Sequence, residues 1–243
     1  MGASEAAPVV PFESGKSIDF VAASAQYLRG GNFNNITGDF TFDIWIKKDA
    51  NNFTTVSKRN SGALTGYAFN IFTWFGLQII GTGGYPADTL TLISSTNPAV
   101  GTWEHRVWTS NLTFAGTKHY KNGANESCSE LTATTLSTSP SNTADLLIGA
   151  DVSDSVTRYY DGNEGHIGFW NRILTPTEVA ELYALEFGDR RTLSFYSAAT
   201  LWVRMGNDPR DSTASGGKVY DTVADREFAA TNMIAANIED DAP

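Results

Sequence analysis

The chain has 243 residues, of which 41% are hydrophobic and 12% aromatic, with 22 glycines and a formal net charge of −10. This composition is typical of a folded, turn-rich protein and excludes disorder over most of the chain. The basic residues are scattered, which argues against a nucleic acid partner. The single cysteine, Cys128, cannot form an internal disulfide and predicts folding in a reducing compartment. We therefore expect one domain stabilised by its hydrophobic core.

The two ends of the chain differ from the rest in composition. Residues 1–16 are mostly small or polar and lack the basic and apolar regions of a secretory signal. No segment is long and apolar enough to insert into a membrane. We expect residues 1–16 to form a flexible segment or attachment arm, residues 17–237 a single domain, and the acidic residues 238–243 a frayed tail or a short attachment segment.

Most of the chain consists of short segments of alternating, β-branched or aromatic residues, separated by Gly, Asn, Pro and Ser. The clearest strand is Phe40–Lys47, whose even-numbered residues are all apolar and share one face, which we expect to be buried. This pattern predicts an all-β sandwich with antiparallel pairing. Further strands are predicted at residues 17–20, 53–58, 66–72, 75–80, 89–94, 103–110, 118–121, 126–131, 144–148, 165–170 and 200–205.

Two local motifs are specific. Asn122-Gly123 tolerates the positive φ angles of a type I′ turn and predicts a β-hairpin. Thr175 can cap a helix, and Glu178 completes a capping box with it. We therefore expect one short helix over Pro176–Glu186, packed across the sandwich.

Several stretches occur in the same order as in a known family. The chain resembles the laminin-G-like, concanavalin A-like lectin and glucanase superfamily over residues 17–187. The resemblance implies a two-sheet antiparallel jelly-roll sandwich with one short helix, and a binding or scaffolding role. It extends to domains of phage virion structural proteins. The stretches that carry it are SIDF at 17–20 with Tyr27-Leu28, FTFDIWI at 40–46, WEH at 103–105, YKNG at 120–123 and GHIGFWNRIL at 165–174.

The superfamily also contains glycoside hydrolases, in which the resemblance implies a Glu-x-Asp-x-x-Glu pattern on one strand. That pattern is absent from this sequence. Asp161 and Glu164 are three residues apart, and on an extended strand they would point to opposite faces. We therefore expect a protein that is not an enzyme.

Sugar recognition requires exposed aromatic rings that stack on pyranose rings, with polar side chains beside them. Trp74 lies between two predicted strands, where a hairpin apex would expose its indole. Tyr85, Tyr159 and Tyr160 also fall in predicted loops. These four residues are the candidate ligand-binding residues. The alternative is that their rings cap the core or fill an interface between subunits.

A calcium site is a second hypothesis, because many members of the superfamily hold Ca²⁺ at one rim of the sandwich. Asp151, Asp154 and Asp161 fall in one predicted loop region and are the candidate metal ligands. The alternative is a solvated acidic loop. No cofactor is required under either hypothesis.

Two functions remain as hypotheses. The first is a virion surface structural protein, such as a capsid decoration, head or tail protein, made in the host cytoplasm and displaying a sandwich that binds glycans or a host surface. Its partners would be other virion or surface proteins, or copies of itself. The alternative is a free-standing carbohydrate-binding lectin or adhesin module, either cytoplasmic or exported by a non-classical route. A glycoside hydrolase is a distant third.

Overall fold

The structure is a computed structural model that describes residues 15–50, 53–71, 74–132, 136–153 and 155–243. Within these ranges it contains nineteen β-strands, one α-helix and four short 3₁₀ turns. The strands are β1 Ser17–Phe20, β2 Tyr27–Arg29, β3 Phe40–Lys48, β4 Phe53–Arg59, β5 Gly66–Ile71, β6 Phe75–Ile80, β7 Thr89–Ser94, β8 Glu104–Ser110, β9 Lys118–Lys121, β10 Ala124–Glu126, β11 Cys128–Thr132, β12 Leu147–Ile148, β13 Ala150–Ser153, β14 Ser155–Tyr159, β15 Gly162–Trp170, β16 Ala199–Val203, β17 Lys218–Asp221, β18 Arg226–Thr231 and β19 Ile238–Glu239. The helix α1 is Pro176–Leu185, and the 3₁₀ turns are Ala22–Ser24, Arg190–Thr192, Tyr196–Ala198 and Ala235–Asn237.

Seventeen of the strands form two sheets that face each other, and β13 and β14 form a separate two-stranded sheet. Neighbouring strands within each sheet are antiparallel. The first sheet has the order β10-β9-β8-β3-β15. The other edge of β15 pairs with β1 and with β16. The second has the order β11-β7-β6-β5-β4-β12-β2. Strands β16, β17, β18 and β2 join the two sheets along one side. The predicted all-β sandwich with one helix is confirmed.

The core lies between the two sheets. The even-numbered residues of β3 are buried there as predicted, and the rings of Phe42 and Phe69 stack across the core at 3.6 Å. The odd-numbered face of β3 is also buried, with Thr41 and Asp43 completely inaccessible. This second burial occurs because α1 and the segment after it cover the outer face of the first sheet. Both faces of this central strand are therefore packed.

The helix begins as the sequence predicts. The Thr175 side chain accepts a hydrogen bond from the Glu178 backbone amide, and the Glu178 side chain accepts one from Thr175. Leu174, Val179 and Leu182 are buried in a second apolar cluster against the first sheet. The helix ends at Leu185, one residue before the predicted end. The described part of the chain has no helix that is both long enough and apolar enough to cross a membrane.

A buried ion pair fixes the segment after the helix to the sheet. The two terminal nitrogens of Arg190 donate to the two carboxylate oxygens of Asp43 at 2.9 and 2.5 Å, and His105 Nε2 lies 3.2 Å from Asp43 Oδ2. All three side chains are buried. Burial disfavours the charged carboxylate, but Arg190 and His105 outweigh it and lower the pKa of Asp43. His105 is therefore part of the buried hydrogen-bond network around Asp43.

Three regions differ from the predictions. Residues 238–239 pair with β1, and Asp241 Oδ1 accepts a hydrogen bond from Trp103 Nε1 at 3.2 Å, so the tail is attached to the domain and is not frayed. Strands β13 and β14 form a hairpin where a loop was expected. The hairpin of β17 and β18 was not predicted at all. The partner of residues 238–239 is distant in sequence, and this pairing cannot be read from neighbouring residues. The turns of the two hairpins lack a strong sequence motif.

We predict that Asp43→Ala lowers the free energy of unfolding by about 3–5 kcal/mol, because the buried Arg190 guanidinium would lose its carboxylate. Urea unfolding at pH 7 measures this loss. The control is Lys218→Ala, which breaks the exposed pair of Lys218 with Glu227 and should leave the midpoint unchanged. Equal small effects of the two substitutions would show that the Asp43 cluster does not stabilise the fold.

Candidate functional site

The outer face of the second sheet is polar and is not covered by the helix. Side chains alternate along its strands, so Leu77 and Leu92 enter the core while Gln78 and Thr91 point away from it. Arg59, at the end of β4, belongs to the same outer face. This face therefore carries polar side chains on a rigid, fully paired sheet.

A cavity of about 310 Å³ lies over this face. The sheet provides its floor, and residues from the β4–β5, β5–β6 and β6–β7 connections and from the β13–β14 hairpin complete its lining. The lining residues are Arg59, Leu64, Asn70, Trp74, Gln78, Tyr85, Thr91, Leu131, Asp151 and Arg158. The cavity thus combines aromatic, aliphatic and hydrogen-bonding groups.

A row of hydrogen bonds runs across the floor of the cavity. Arg59 Nη1 donates to Asp151 Oδ2 at 3.2 Å, and Arg59 Nη2 donates to Gln78 Oε1 at 2.6 Å. Gln78 Nε2 in turn donates to Thr91 Oγ1 at 3.1 Å. We call Asp151, Arg59, Gln78 and Thr91 the polar row. It connects the hairpin to strands β4, β6 and β7.

The charged members of the polar row are buried. Arg59 is 3% exposed and Asp151 is inaccessible, so each neutralises the other away from water. Burial lowers the pKa of Arg59, and the carboxylate of Asp151 opposes that effect. Asp151 Oδ1 and Arg59 Nε have no hydrogen-bond partner within the described ranges. The pair therefore retains unused hydrogen-bonding capacity at the floor.

Two aromatic residues form part of the wall of the cavity. The half-buried indole of Trp74 lies directly over Gly76, where a Cβ atom would come within 2.1 Å of the ring. Only glycine permits this close approach without a shift of the ring. Tyr85 is 56% exposed. Both rings thus present apolar surface beside the polar row.

Asp88 anchors the loop that carries Tyr85. Its carboxylate accepts hydrogen bonds from the backbone amides of Gly83 and Ser137 at 3.1 and 2.5 Å, and from the Thr138 hydroxyl. Burial disfavours the charged form, but these bonds outweigh it and lower the pKa of Asp88 to about 2. The loop is therefore tied to residues 137–138 by one ionised side chain.

The four aromatic candidates occupy different environments. Trp74 and Tyr85 line the same cavity. Tyr159 lies outside this lining and packs against Tyr27, with ring centroids 6.2 Å apart. Tyr160 is completely buried in the core, and its hydroxyl lies 3.3 Å from the Asn163 carbonyl oxygen. The proposal of Tyr160 as a ligand-binding residue is therefore wrong, because strand β14 ends before it and its ring turns inward.

The predicted calcium ligands do not form a common site among the residues described. Asp151 belongs to the polar row, and Asp161 Oδ1 accepts a hydrogen bond from the Ala22 amide at 3.0 Å. Asp154 lies outside the described residues. Across the described ranges, no three His, Cys, Asp or Glu side chains are grouped as metal ligands. The hairpin explains this outcome for Asp151, because pairing directs its side chain to Arg59.

Sequence reasoning missed Arg59, Gln78, Thr91 and Asp88. Gln78 and Thr91 each lie between apolar residues in strands that were predicted, so alternation alone places them on the outer face. That pattern does not show which outer face remains open. Asp88 gives no comparable indication, because its partners lie about fifty residues away.

Comparison with known proteins agrees with the β-sandwich fold. A laminin-G-like family model, described as the concanavalin A-like lectin/glucanases superfamily, matches residues 22–180, which is more than half of the chain. The chain belongs to this superfamily. A search of curated proteins found no match.

Solved structures of the superfamily fold are similar at low sequence identity. A protein from Bacteroides ovatus ATCC 8483, described as a candidate carbohydrate-binding protein, matches with a TM-score of 0.62 and 14% identity over 91% of this chain and 59% of its own length. This superfamily member thus spans about three fifths of that protein. A heptameric SAP-like pentraxin from Limulus polyphemus matches with a TM-score of 0.48 and 14% identity, over 70% of this chain and 82% of its own. The CBM40 of Ruminococcus gnavus IT-sialidase matches with a TM-score of 0.46 and 11% identity, over 63% of this chain and 85% of its own length. At these identities the likeness shows the fold alone.

We predict that Asp88→Asn lowers the free energy of unfolding by about 1–3 kcal/mol at pH 7, because an amide replaces a carboxylate that accepts several buried hydrogen bonds. The folded-state pKa of about 2 lies below the ordinary 3.8, so the wild-type advantage is complete above about pH 4 and disappears as the pH falls through 2. Urea unfolding of both proteins at pH 7 and pH 2.5 measures it. A difference that is the same at both pH values would contradict this account of Asp88.

Proposed function

We propose that this protein binds saccharides in the cavity over the second sheet and does not catalyse a reaction. The observation that carries the proposal is the combination of Trp74 and Tyr85 with the polar row in one concave site. Aromatic faces stack on the apolar face of a pyranose ring, and planar polar groups bind the hydroxyls at its edge. A ring stacked on Trp74 would have Gln78 at its edge, since Gln78 follows Gly76 on the same face of β6.

The size and rigidity of the site suit a short saccharide. A volume of about 310 Å³ is close to the lower end of ordinary ligand cavities, which begin at about 300 Å³. The floor is built on paired strands, and its side chains are held by each other. Little ordering would therefore be required on binding.

The comparisons support this function over a virion role. The Bacteroides ovatus protein is described as a candidate carbohydrate-binding protein, and the superfamily includes lectins. A free-standing lectin or adhesin module is thus our main proposal. The virion surface role stays a prediction, because none of the compared proteins named here is described as a virion protein.

The carboxylates support binding without hydrolysis. Glycoside hydrolysis usually requires two carboxyl groups that flank the scissile bond. Among the described lining residues Asp151 is the one carboxylate, and it is paired with Arg59. Glu164 is completely buried and lies outside this lining, and burial raises the pKa of its carboxyl well above the ordinary value.

We predict that Trp74→Ala lowers saccharide affinity by about tenfold or more, because it removes the ring on which the sugar stacks. The measurement is a glycan-array screen followed by calorimetric titration with lactose, N-acetyllactosamine, cellotriose, maltotriose and α2,3-sialyllactose. The matched control is Phe114→Ala, which removes another exposed aromatic ring outside the cavity.

The control variant should bind as tightly as wild type. Binding of a saccharide that is unchanged in Trp74→Ala would place the site elsewhere on the protein. Failure of every saccharide to bind wild type would contradict the proposed function. Each titration is repeated with calcium and with EDTA, which tests the calcium hypothesis separately.

A further inference from the structure

The orientation of the Gln78 side chain is fixed by chemistry. A guanidinium can donate hydrogen bonds but cannot accept them. The Gln78 atom that lies 2.6 Å from Arg59 Nη2 must therefore be the carbonyl oxygen, and the amide nitrogen must be on the other side. A flipped amide would place its N–H groups against the N–H groups of Arg59.

Arg59 is in turn held by Asp151. The carboxylate and the guanidinium are buried together, and the Asp151 Oδ2 atom accepts from Arg59 Nη1 while Arg59 Nη2 reaches Gln78. One N–H of Gln78 is used by Thr91. The second N–H remains on a half-buried side chain that lines the cavity, and within the described ranges Gln78 makes only these two side-chain hydrogen bonds.

We propose that the Asp151–Arg59 pair locks Gln78 with its N–H toward the ligand, which makes Gln78 the specificity-determining residue of the cavity. This inference rests on the proposed saccharide binding and adds to it. The saccharide is recognised by an acceptor oxygen at the edge of the ring that stacks on Trp74. Asp151 and Arg59 are positioning residues, because they act through Gln78 and not on the sugar.

Selective labelling gives a direct test, because the chain has only two glutamines, Gln26 and Gln78. Gln26 is 4% exposed and belongs to a separate network with Asn237 and the Val21 amide, so it is an internal control. Protein labelled with ¹⁵N at the glutamine side chains is titrated with each of the five saccharides named above. Gln78→Ala assigns the two resonance pairs. A saccharide that binds through Trp74 should shift the Gln78 amide resonances and leave those of Gln26 in place.

A double-mutant cycle tests the lock itself. Asp151→Asn should weaken saccharide binding about tenfold in the wild-type background, because it removes the negative charge that holds the Arg59 guanidinium in place against the Gln78 carbonyl. In the Gln78→Ala background the same substitution should change affinity by less than about twofold. Thermal unfolding of each variant separates loss of fold from loss of binding, and the labelling experiment needs no Asp151 variant.

The outcomes separate this inference from the proposed function. A saccharide that binds in a Trp74-dependent way without shifting the Gln78 resonances overturns the inference and leaves the proposed function intact. Equal effects of Asp151→Asn in both backgrounds also overturn it. If none of the five saccharides binds wild type, the proposed function fails and the inference fails with it.

Discussion

The buried pair of Arg59 and Asp151 is the contact on which the open face of this sandwich depends. A guanidinium on the outer face of a sheet is normally solvated, and burying it without a carboxylate would be strongly unfavourable. The β13–β14 hairpin supplies that carboxylate. Its position over the end of β4 creates one side of the cavity and brings Arg158 to the lining. The ion pair therefore joins the hairpin to the sheet beside the Ser57–Ala150 hydrogen bond, and it sets the direction of the polar row.

The two outer faces of the sandwich differ in whether a helix covers them. Helix α1 covers the first sheet through the apolar cluster of Val179 and Leu182, and the Asp43–Arg190 pair fixes the segment that follows. The second sheet carries no helix within the described residues, and its outer face carries the polar row. The proposed binding site therefore lies on the face that the helix leaves open. The core between the sheets contributes rigidity to both.

Much of the fold could be predicted from the sequence. Alternation in β3 and the Thr175 capping box both depend on neighbouring residues, and the structure agrees with them. The hairpin of β13 and β14 could not be predicted from neighbouring residues. Its stability comes from packing and from the distant Arg59, and its acidic residues were interpreted as a solvated or calcium-binding loop. The attachment of Asp241 to Trp103 likewise joins residues 138 positions apart.

The residues of the candidate site likewise divide into those that the local sequence indicates and those that depend on distant contacts. Trp74 and Tyr85 line the cavity, and the sequence predicts that both rings are exposed because both fall between predicted strands. Tyr160 is buried whereas Tyr159 is not, and the sequence alone does not show which of the two adjacent rings enters the core. The role proposed for Gln78 depends on its hydrogen bond with Arg59, which alternation along a strand does not predict.

A crystal structure of the protein bound to the tightest-binding of the five saccharides tests the central claim most directly. The account predicts a sugar ring against the indole of Trp74 with an oxygen within hydrogen-bonding distance of Gln78 Nε2, and a sugar bound away from Trp74 would contradict it.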